Sequence, residues 1–282
     1  MKLLRKGLSR FTAELNMGLI SAISEANGKE ETTTHWSFTT SGKSLMAFVD
    51  DLMVVAEEAK LELLANGISA KAVDASHVMM MSTTIGNGKE TGLTAGIELS
   101  DLRKTLIGHI KTDKLKVTLS YNNDGMMEVD LGDGTTFSLR CLDETKLTSP
   151  NFPENLNFST SVEVEGKKAQ LAMTRVHRVR YSYLAELTIS KDLAVFKGMS
   201  DNKSRTIKTK IAGKTRDKKT SKAVYSVSYL YPLFKAWGKS SSIEMKSGND
   251  YPLQCVKKIT IHGVDIESQA FLAPRVDPDD QY

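Results

Sequence analysis

The 282-residue sequence has few of the residues that define secreted or metal-binding domains. Its two cysteines, Cys141 and Cys255, lie far apart and form no CxxC pair, which is typical of a reducing compartment without structural zinc. No apolar run approaches the roughly 20 residues that a transmembrane helix needs. The first residues, MKLLRKGLSRF, are basic but lack a continuous apolar segment and a small-residue cleavage site. We therefore expect no export signal.

Catalytic signatures are also lacking. The five histidines form no metal-spaced pair, and no segment resembles HExxH, a P-loop or GxSxG. The run GNGKETG at 86–92 has the wrong spacing for a dinucleotide loop and predicts a hairpin turn. The run VDASHVMMM at 73–81 groups Asp74, Ser76 and His77, but a turn aspartate and a partly exposed strand histidine explain it better than catalysis does. We predict no catalytic residue, no metal and no cofactor. An enzyme with an unrecognised site is the weakest alternative.

Length and composition favour a globular protein with a workable core. The chain is 40% hydrophobic and 26% charged, with a net charge of +4. Its length suits one large domain or two of about 130–140 residues. A charge of this size says little about nucleic acid until the positions of the cations are known.

The sequence contains an internal repeat, in which one unit occurs twice. IELSDLRKTLIGHIKTDKLKVTL, from residue 97, aligns without gaps with YSVSYLYPLFKAWGKSSSIEMKS, from residue 225. A looser match pairs the segment from Gly42 with that from Gly166, and each opens an amphipathic helix followed by strands. Two matches in the same order indicate a duplicated domain.

Apolar periodicity predicts two helices and several strands in each half. The helices are expected at 44–56, 100–110, 167–178 and 229–238. The predicted strands are 58–64, 68–73, 77–83, KLKVTLSY, MMEVDL, TFSLRCL, 181–190, 192–199, 204–211 and 222–228, with two or three more at the end of the chain. The first two strands are expected to meet across the turn ANG.

Composition divides the chain further. LDETKLTSPNFPENL, at 142–156, has two prolines and no periodicity and is predicted to be a linker. Residues 1–34 stand outside the repeat and form an N-terminal extension of unknown role, with a possible amphipathic helix over 3–23.

Three of the four predicted helices place cations on the side opposite their apolar stripe. The expected DNA-contacting residues are Lys104, Lys111, Lys167, Lys168, Arg175, Arg178, Lys235 and Lys239. A solvated helix face is the ordinary explanation for any single helix. Three such faces at equivalent places of a duplicated unit favour contact with phosphates rather than reading of bases.

Several segments resemble the sliding clamps of the proliferating cell nuclear antigen (PCNA) family, its archaeal members most closely. QAFLAPRVDPDDQY resembles the family's C-terminal strand and acidic tail, VDASHVMMM its turn and strand beneath the interdomain linker, and SYLYPLFKAWGKSSSIEMKSGNDYPLQ its last helix and hairpin. The resemblance covers roughly residues 35–276. It implies an α+β DNA-clamp fold, in which two topologically similar domains, each with two helices packed on antiparallel sheets, form a ring-shaped trimer. The domains would span 35–141 and 157–276, before an acidic tail at 277–282.

The resemblance also implies a function. The ring would encircle double-stranded DNA without sequence specificity, and edge strands near 135–141 and 204–211 would join neighbouring copies. A clamp loader, DNA polymerase, flap endonuclease and DNA ligase would dock a short peptide motif in a groove under the linker. The implied groove residues are Val73, His77, Leu147, Phe152, Pro153, Pro252, Phe271, Leu272, Ala273, Pro274 and Arg275. The implied location is the nucleoid-associated cytoplasm of an archaeon, or the nucleus of a eukaryote.

Two features depart from the family's pattern, and one alternative stays open. The first helix lacks the lysines that many clamps carry there, and the basic loop AGKTRDKKTSK at 212–222 is longer than expected. We interpret this loop as mobile and solvated, with a second DNA or partner contact as the alternative. The chain alternatively forms one subunit of a heteromeric or checkpoint-type clamp that needs other chains to close.

Overall fold

The structure is a computed structural model that describes residues 35–108, 115–122, 125–153, 155–179, 182–200, 204–215, 219–240 and 242–275. The predicted helix at 3–23, Lys111 and the acidic tail at 277–282 therefore lie outside the described residues. None of the described helices combines the length and apolar character needed to cross a bilayer.

Each half contains two helices and a set of antiparallel strands. The first half comprises β1 (Trp36–Ser41), α1 (Gly42–Leu52), β2 (Glu58–Val73), β3 (Met79–Glu98), α2 (Leu99–Ile107), β4 (Lys116–Tyr121), β5 (Met126–Asp130) and β6 (Thr136–Arg140). A 3₁₀ turn (Glu144–Lys146) lies between the halves. The second half comprises β7 (Thr160–Val164), α3 (Gly166–His177), β8 (Leu184–Ser190), β9 (Leu193–Met199), β10 (Thr206–Ala212), β11 (Lys214–Thr215), β12 (Ser221–Ser226), α4 (Val227–Trp237), β13 (Ile243–Ser247), β14 (Leu253–Ile261) and β15 (Val264–Leu272).

The described strands form three sheets, and the largest joins the two halves. A four-stranded sheet has the order β1-β4-β5-β6, and a second has the order β10-β9-β8-β12. The central seven-stranded sheet has the order β11-β7-β13-β14-β15-β3-β2. The halves meet where β15 pairs antiparallel with β3, from Ile266 opposite Ile85 to Leu272 opposite Met79.

The helices bury one apolar stripe each, as their periodicity predicts. In α1, Leu45, Phe48, Val49 and Leu52 are completely buried. The helix begins two residues earlier than expected because Ser41 caps it, accepting a 3.0 Å hydrogen bond from the Ser44 amide. It ends at Leu52 rather than Ala56, since turn-type bonds such as that from the Val54 amide to the Asp51 carbonyl lead the chain into β2.

The predicted hairpin at ANG is wrong. Residues 58–73 form one strand that pairs with β3 along its length, with register shifts between Glu62 and Asn66. Gly67 lies opposite Gly86, where the strands approach so closely that a Cβ on Gly67 would sit 2.3 Å from the Ile85 carbonyl oxygen. These glycines therefore permit a distorted strand crossing rather than a turn. The predicted turn at 86–92 is likewise part of β3.

In the second half, α3 and α4 begin one and two residues before their predicted starts. Part of the basic loop at 212–222, which we expected to be solvated, is a strand; residues 216–218 lie outside the described residues. Lys214 and Thr215 form β11, which pairs with Glu163 and Val162 at one edge of the central sheet. The Asp192 carboxylate accepts a 3.1 Å hydrogen bond from the Thr215 amide and fixes this short strand.

Candidate functional site

The four helices form one continuous row. α3 packs on α4, α4 contacts α1, and α1 packs on α2. Because each helix turns its apolar stripe to the sheets, the opposite faces of the helices form a single outer surface.

The predicted DNA-contacting cations that the structure describes are all exposed on this row or just beyond a helix end. These are Lys104 on α2, Lys167, Lys168, Arg175 and Arg178 on or beside α3, and Lys235 and Lys239 on or beside α4. The row therefore brings together cations that are up to 135 residues apart, from Lys104 to Lys239.

Some of these cations already have a carboxylate partner. Lys104 lies 2.9 Å from Asp101, and the hydrogen bond to this carboxylate raises the pKa of Lys104. Lys168 lies 3.1 Å from Glu165. Sequence reasoning did not identify these partners as competitors for phosphate, although the three-residue spacing of both pairs on a helix is visible in the sequence.

A buried ion pair lies behind the row, where the two halves meet. Lys257 of β14 donates to the carboxylate of Asp51 on α1, and the Ser268 hydroxyl donates to the same oxygen. Burial raises the pKa of Asp51 despite the opposing effect of Lys257. The Lys257 ammonium also lies 5.3 Å from the centre of the Trp237 ring on α4. Asp51, Lys257, Ser268 and Trp237 thus form one cluster around this ion pair, which sequence periodicity did not reveal.

The predicted partner residues Val73, Phe152 and Phe271 gather on the other side of the central sheet. Val73 pairs with Met80, and Met80 pairs with Phe271, so the three side chains share one face. Phe152 of the linker lies edge-on to Phe271 with 5.4 Å between ring centres. Met80 was missed, although strand alternation in VMMM places it on the face opposite the buried Met79 and Met81.

Other predicted groove residues lie at or beside this cluster. Ala273 donates from its amide to the Val78 carbonyl, and Arg275 donates to that of Val224, so 273–275 bridges the 74–78 turn and β12. His77 is exposed at the tip of that turn with a φ of 55°. Pro153 is exposed, whereas Pro252 and Pro274 are half-buried.

Two predicted groove residues lie elsewhere. Leu272 faces the core because it alternates with Phe271 along β15, and its side chain is 1% exposed. Leu147 packs near Gly96, at the far end of β3 from Met80, where its methyl carbon lies 2.8 Å from the place of a Gly96 Cβ. The linker therefore covers both ends of β3 rather than folding only over the aromatic cluster.

Asp74 is the structural centre of the VDASHVMMM segment. Its carboxylate accepts hydrogen bonds from the amides of Ser76, Val78 and Met79 at 2.9, 2.8 and 2.6 Å, and from the Tyr229 hydroxyl at 2.7 Å. Burial opposes ionisation, but these bonds outweigh it and lower the pKa of Asp74. Asp74 thus anchors the turn beside the aromatic cluster, and only the tertiary structure identifies Tyr229 as its partner.

The two four-stranded sheets present their edges at opposite ends of the sheet system. β1 and β12 contact β2 and β13 of the central sheet, which leaves β6 and β10 as the outer strands. β6 spans Thr136–Arg140 and β10 spans Thr206–Ala212, and these ranges overlap the edges expected near 135–141 and 204–211.

Solved structures with this architecture are clamps. The chain matches A. fulgidus PCNA bound to the C-terminal region of FEN-1 with 17% identity and a TM-score of 0.73, over 86% of this chain and 98% of that one. It matches PCNA of Entamoeba histolytica with 15% identity and a TM-score of 0.74 over the same shares. It matches the PCNA2–PCNA3 complex of Sulfolobus tokodaii with 16% identity and a TM-score of 0.71, over 86% and 100%. The fold is therefore the α+β DNA-clamp fold.

Sequence relatives agree with the fold. The DNA polymerase sliding clamp of Cenarchaeum symbiosum is 24% identical over 253 residues, which cover 86% of this chain and 98% of that protein. The DNA polymerase sliding clamp of Methanocorpusculum labreanum is 25% identical over 240 residues, which cover 82% and 94%. No family model matches the chain. The chain is thus similar over most of its length to archaeal DNA polymerase sliding clamps, and it has the fold of PCNA.

Proposed function

We propose that the protein is a DNA polymerase sliding clamp, a processivity factor without catalytic activity of its own. Copies of the chain close into a ring of three around duplex DNA and tether replication and repair enzymes to it. The observation that carries this proposal is the single row of helices with exposed cations, backed by sheets with outer edge strands at both ends. Phosphate contact without base reading lets such a ring slide along any sequence.

Ring closure is supported by the character of the two edges. An unpaired edge strand tends to pair with another chain, and a head-to-tail contact that closes makes a ring. Apolar side chains accompany both edges: Ile107, 52% exposed, ends α2 beside β6, and Leu171, 49% exposed, lies on α3, which packs on β10. Pairing of β6 with β10 of the next copy would bury such residues at one seam.

Charge complementarity also supports contact between copies. Glu128 and Asp130 are exposed on β5, beside β6, whereas Lys208 and Lys210 are exposed on β10. Carboxylates on the strand next to one edge and lysines on the other edge strand favour a second copy of the same chain as the neighbour. This observation favours a homotrimer over the heteromeric alternative.

The aromatic cluster around Phe152 and Phe271 is the proposed docking site for client peptides. Aromatic anchors at a partly covered sheet face are typical of short-motif recognition. One solved relative of this fold, A. fulgidus PCNA, was captured with the C-terminal region of FEN-1. Clamp loader, polymerase, flap endonuclease and ligase are the proposed clients of this site.

We further propose the domain division 35–141 and 157–276, with 142–156 as linker. Two separate clusters of buried side chains support it, one built mainly from each half, although β3 and β15 each contribute to both. An archaeal clamp would act in the nucleoid-associated cytoplasm, and a eukaryotic one in the nucleus.

The proposal is tested first by light scattering of the full chain across a dilution series. A mass near three times 31.1 kDa supports a self-sufficient ring. Synthesis by a cognate polymerase on primed circular DNA, with clamp loader, should then extend to longer products when the chain is added. A monomer at every concentration that extends no products overturns the proposal. If the chain is a monomer alone and forms a ring only when other chains are added, it is a subunit of a heteromeric clamp.

A further inference from the structure

The four helices of the row differ in how their charges are balanced. On and beside α1 and α2 the charged residues are Lys43, Asp50, Asp51, Glu98, Asp101, Arg103 and Lys104. On and beside α3 and α4 they are Glu165, Lys167, Lys168, Arg175, Arg178, Lys235 and Lys239. The duplicated unit therefore repeats its backbone but not its charge, because carboxylates match the cations of the first helix pair and are scarce in the second.

The cations of α2 are already occupied. The Arg103 Nε lies 2.6 Å from an oxygen of Asp50 on α1, and this pair joins the two helices. Lys104 binds Asp101, and the nearby charges of Glu98 and Glu57 also raise its pKa. A cation held by a carboxylate must exchange that partner for a phosphate, so it contributes little net binding energy to DNA.

Apart from Lys168, which pairs with Glu165, the cations on and beside α3 and α4 are available for phosphate contact. Within the described residues, no carboxylate pairs with Lys167, Arg175 or Arg178, nor with Lys235 or Lys239.

Aromatic contacts join these two helices. His177 of α3 stacks on Tyr231 of α4 at 4.0 Å with the rings 7° apart, and Lys235 lies 5.9 Å from the same tyrosine ring. The stacked pair thus places Lys235 near the contact between α3 and α4.

The change from balanced charge to net positive charge falls at the junction between the two helix pairs. A groove of about 630 Å³ separates α1 from α4, with Lys235 and Lys239 on one wall and Met46, Ala47 and Asp50 on the other. The wall formed by α4 has no carboxylate, whereas the α1 wall carries Asp50 and Asp51 beside Lys43. The electrostatic boundary therefore falls where the two halves meet.

We propose that phosphate contact through the helical row is confined to α3 and α4, and that α1 and α2 form a nearly neutral part of the surface. This rests on the proposed clamp function. In a closed ring the duplex then meets three basic sectors that alternate with three neutral ones. Such a ring has pseudo-six-fold symmetry in its backbone but only three-fold symmetry in its charge. On this proposal, Lys104 is not one of the residues that contact DNA.

The test compares two double variants that each remove one arginine and one lysine from a helix pair. Arg175→Gln with Lys235→Gln alters α3 and α4, and Arg103→Gln with Lys43→Gln alters α2 and α1. Binding of each full-length protein to a fluorescent 40-base-pair duplex is followed by anisotropy from low to moderate salt. Light scattering and thermal unfolding establish that both variants keep the wild-type mass and fold.

The first double variant should bind about ten-fold more weakly at low salt, and its log–log salt slope should shrink by about two. The second should stay within about two-fold of wild type. Equal losses in both variants, or a larger loss in the second, overturn the confinement to α3 and α4 while leaving the clamp function standing. If the wild-type chain forms no ring and binds no duplex at any salt, the clamp function itself fails.

Discussion

At the residue scale, Phe152 shows how a linker side chain completes a site. Its ring lies edge-on to Phe271, while Val73 and Met80 extend the same apolar face across β2 and β3. A docked peptide would bury this face, so the loss of aromatic surface affects binding more than folding.

Replacing Phe152 and Pro252 together with serine should lower client-peptide affinity at least about 30-fold, because the aromatic anchor contact is removed. Isothermal titration with a peptide from a clamp-binding polymerase measures the change, and light scattering checks that the oligomer mass is unaltered. Thr260→Ser, at an exposed position of β14 in the central sheet, is the control. Unchanged peptide affinity in the double variant would mean that the groove lies elsewhere.

Asp74 provides a pH-dependent prediction at the same scale. Burial opposes ionisation, but the bonds from the turn amides and the Tyr229 hydroxyl lower the pKa of Asp74 below the ordinary value. The stabilisation is therefore complete above the ordinary carboxyl pKa of about 4 and is lost as pH falls through the lower native value.

Asp74→Ala should destabilise the chain by about 1–3 kcal/mol at pH 7. Urea unfolding at pH 7 and pH 3 measures the difference, which should shrink at pH 3 because the unfolded chain then binds a proton on this carboxyl more readily than the native chain does. A difference that stays constant or grows toward pH 3 would contradict this role.

At the element scale, the buried pair of Asp51 and Lys257 connects α1 of the first half to β14 of the second. Both side chains are at most 3% exposed. Removal of one partner leaves a buried charge uncompensated, which is far more destabilising than loss of a surface pair. This pair is consequently the most sensitive point of the junction between the halves.

Lys257→Met should cost about 3–5 kcal/mol of unfolding free energy. Lys258→Met on the same strand is the control, because Lys258 is 69% exposed and its 2.9 Å pair with Glu267 contributes at most about 1 kcal/mol. Adding Asp51→Asn to Lys257→Met should recover part of the loss, since no charge is then left unpaired. Equal denaturation midpoints for the two single lysine variants would show that the Asp51–Lys257 pair does not stabilise the junction between the halves.

The helices were predictable at this scale because a 3.6-residue apolar stripe marks each of them, as in Leu45, Phe48 and Leu52. The long pairing of β2 with β3 could not be predicted in this way. Asn and Gly at 65–67 and at 86–88 look locally like turns, yet they lie opposite each other across two paired strands. Register across a sheet depends on which distant segment comes to pair, and no local pattern carries that information.

At the scale of the whole molecule, the two outer edges decide what the chain assembles with. β10 carries exposed Lys208 and Lys210, and β5 beside β6 carries exposed Glu128 and Asp130. If copies join head to tail, each seam brings one lysine pair near one carboxylate pair. Assembly should therefore weaken as salt rises.

Lys208→Glu with Lys210→Glu should shift the trimer–monomer midpoint to at least about ten-fold higher concentration, because like charges would then face each other at the seam. Adding Glu128→Lys and Asp130→Lys to the same chain should restore the trimer, because every seam then again joins opposite charges. Light scattering of each double variant and of the combined variant provides the readout. A trimer that is insensitive to both the substitutions and salt would place the seam on other strands.

The sequence by itself determined the helical stripes, the duplication, the basic outer faces of α3 and α4, and the resemblance to the clamp family, because each depends on spacing along the chain. Only the tertiary structure identified the charged groups that pair with partners distant in the sequence. Arg103 is neutralised by Asp50, 53 residues away, and Asp51 by Lys257, 206 residues away. Such pairings depend on how helices and sheets come together in space, and separation along the sequence does not encode them.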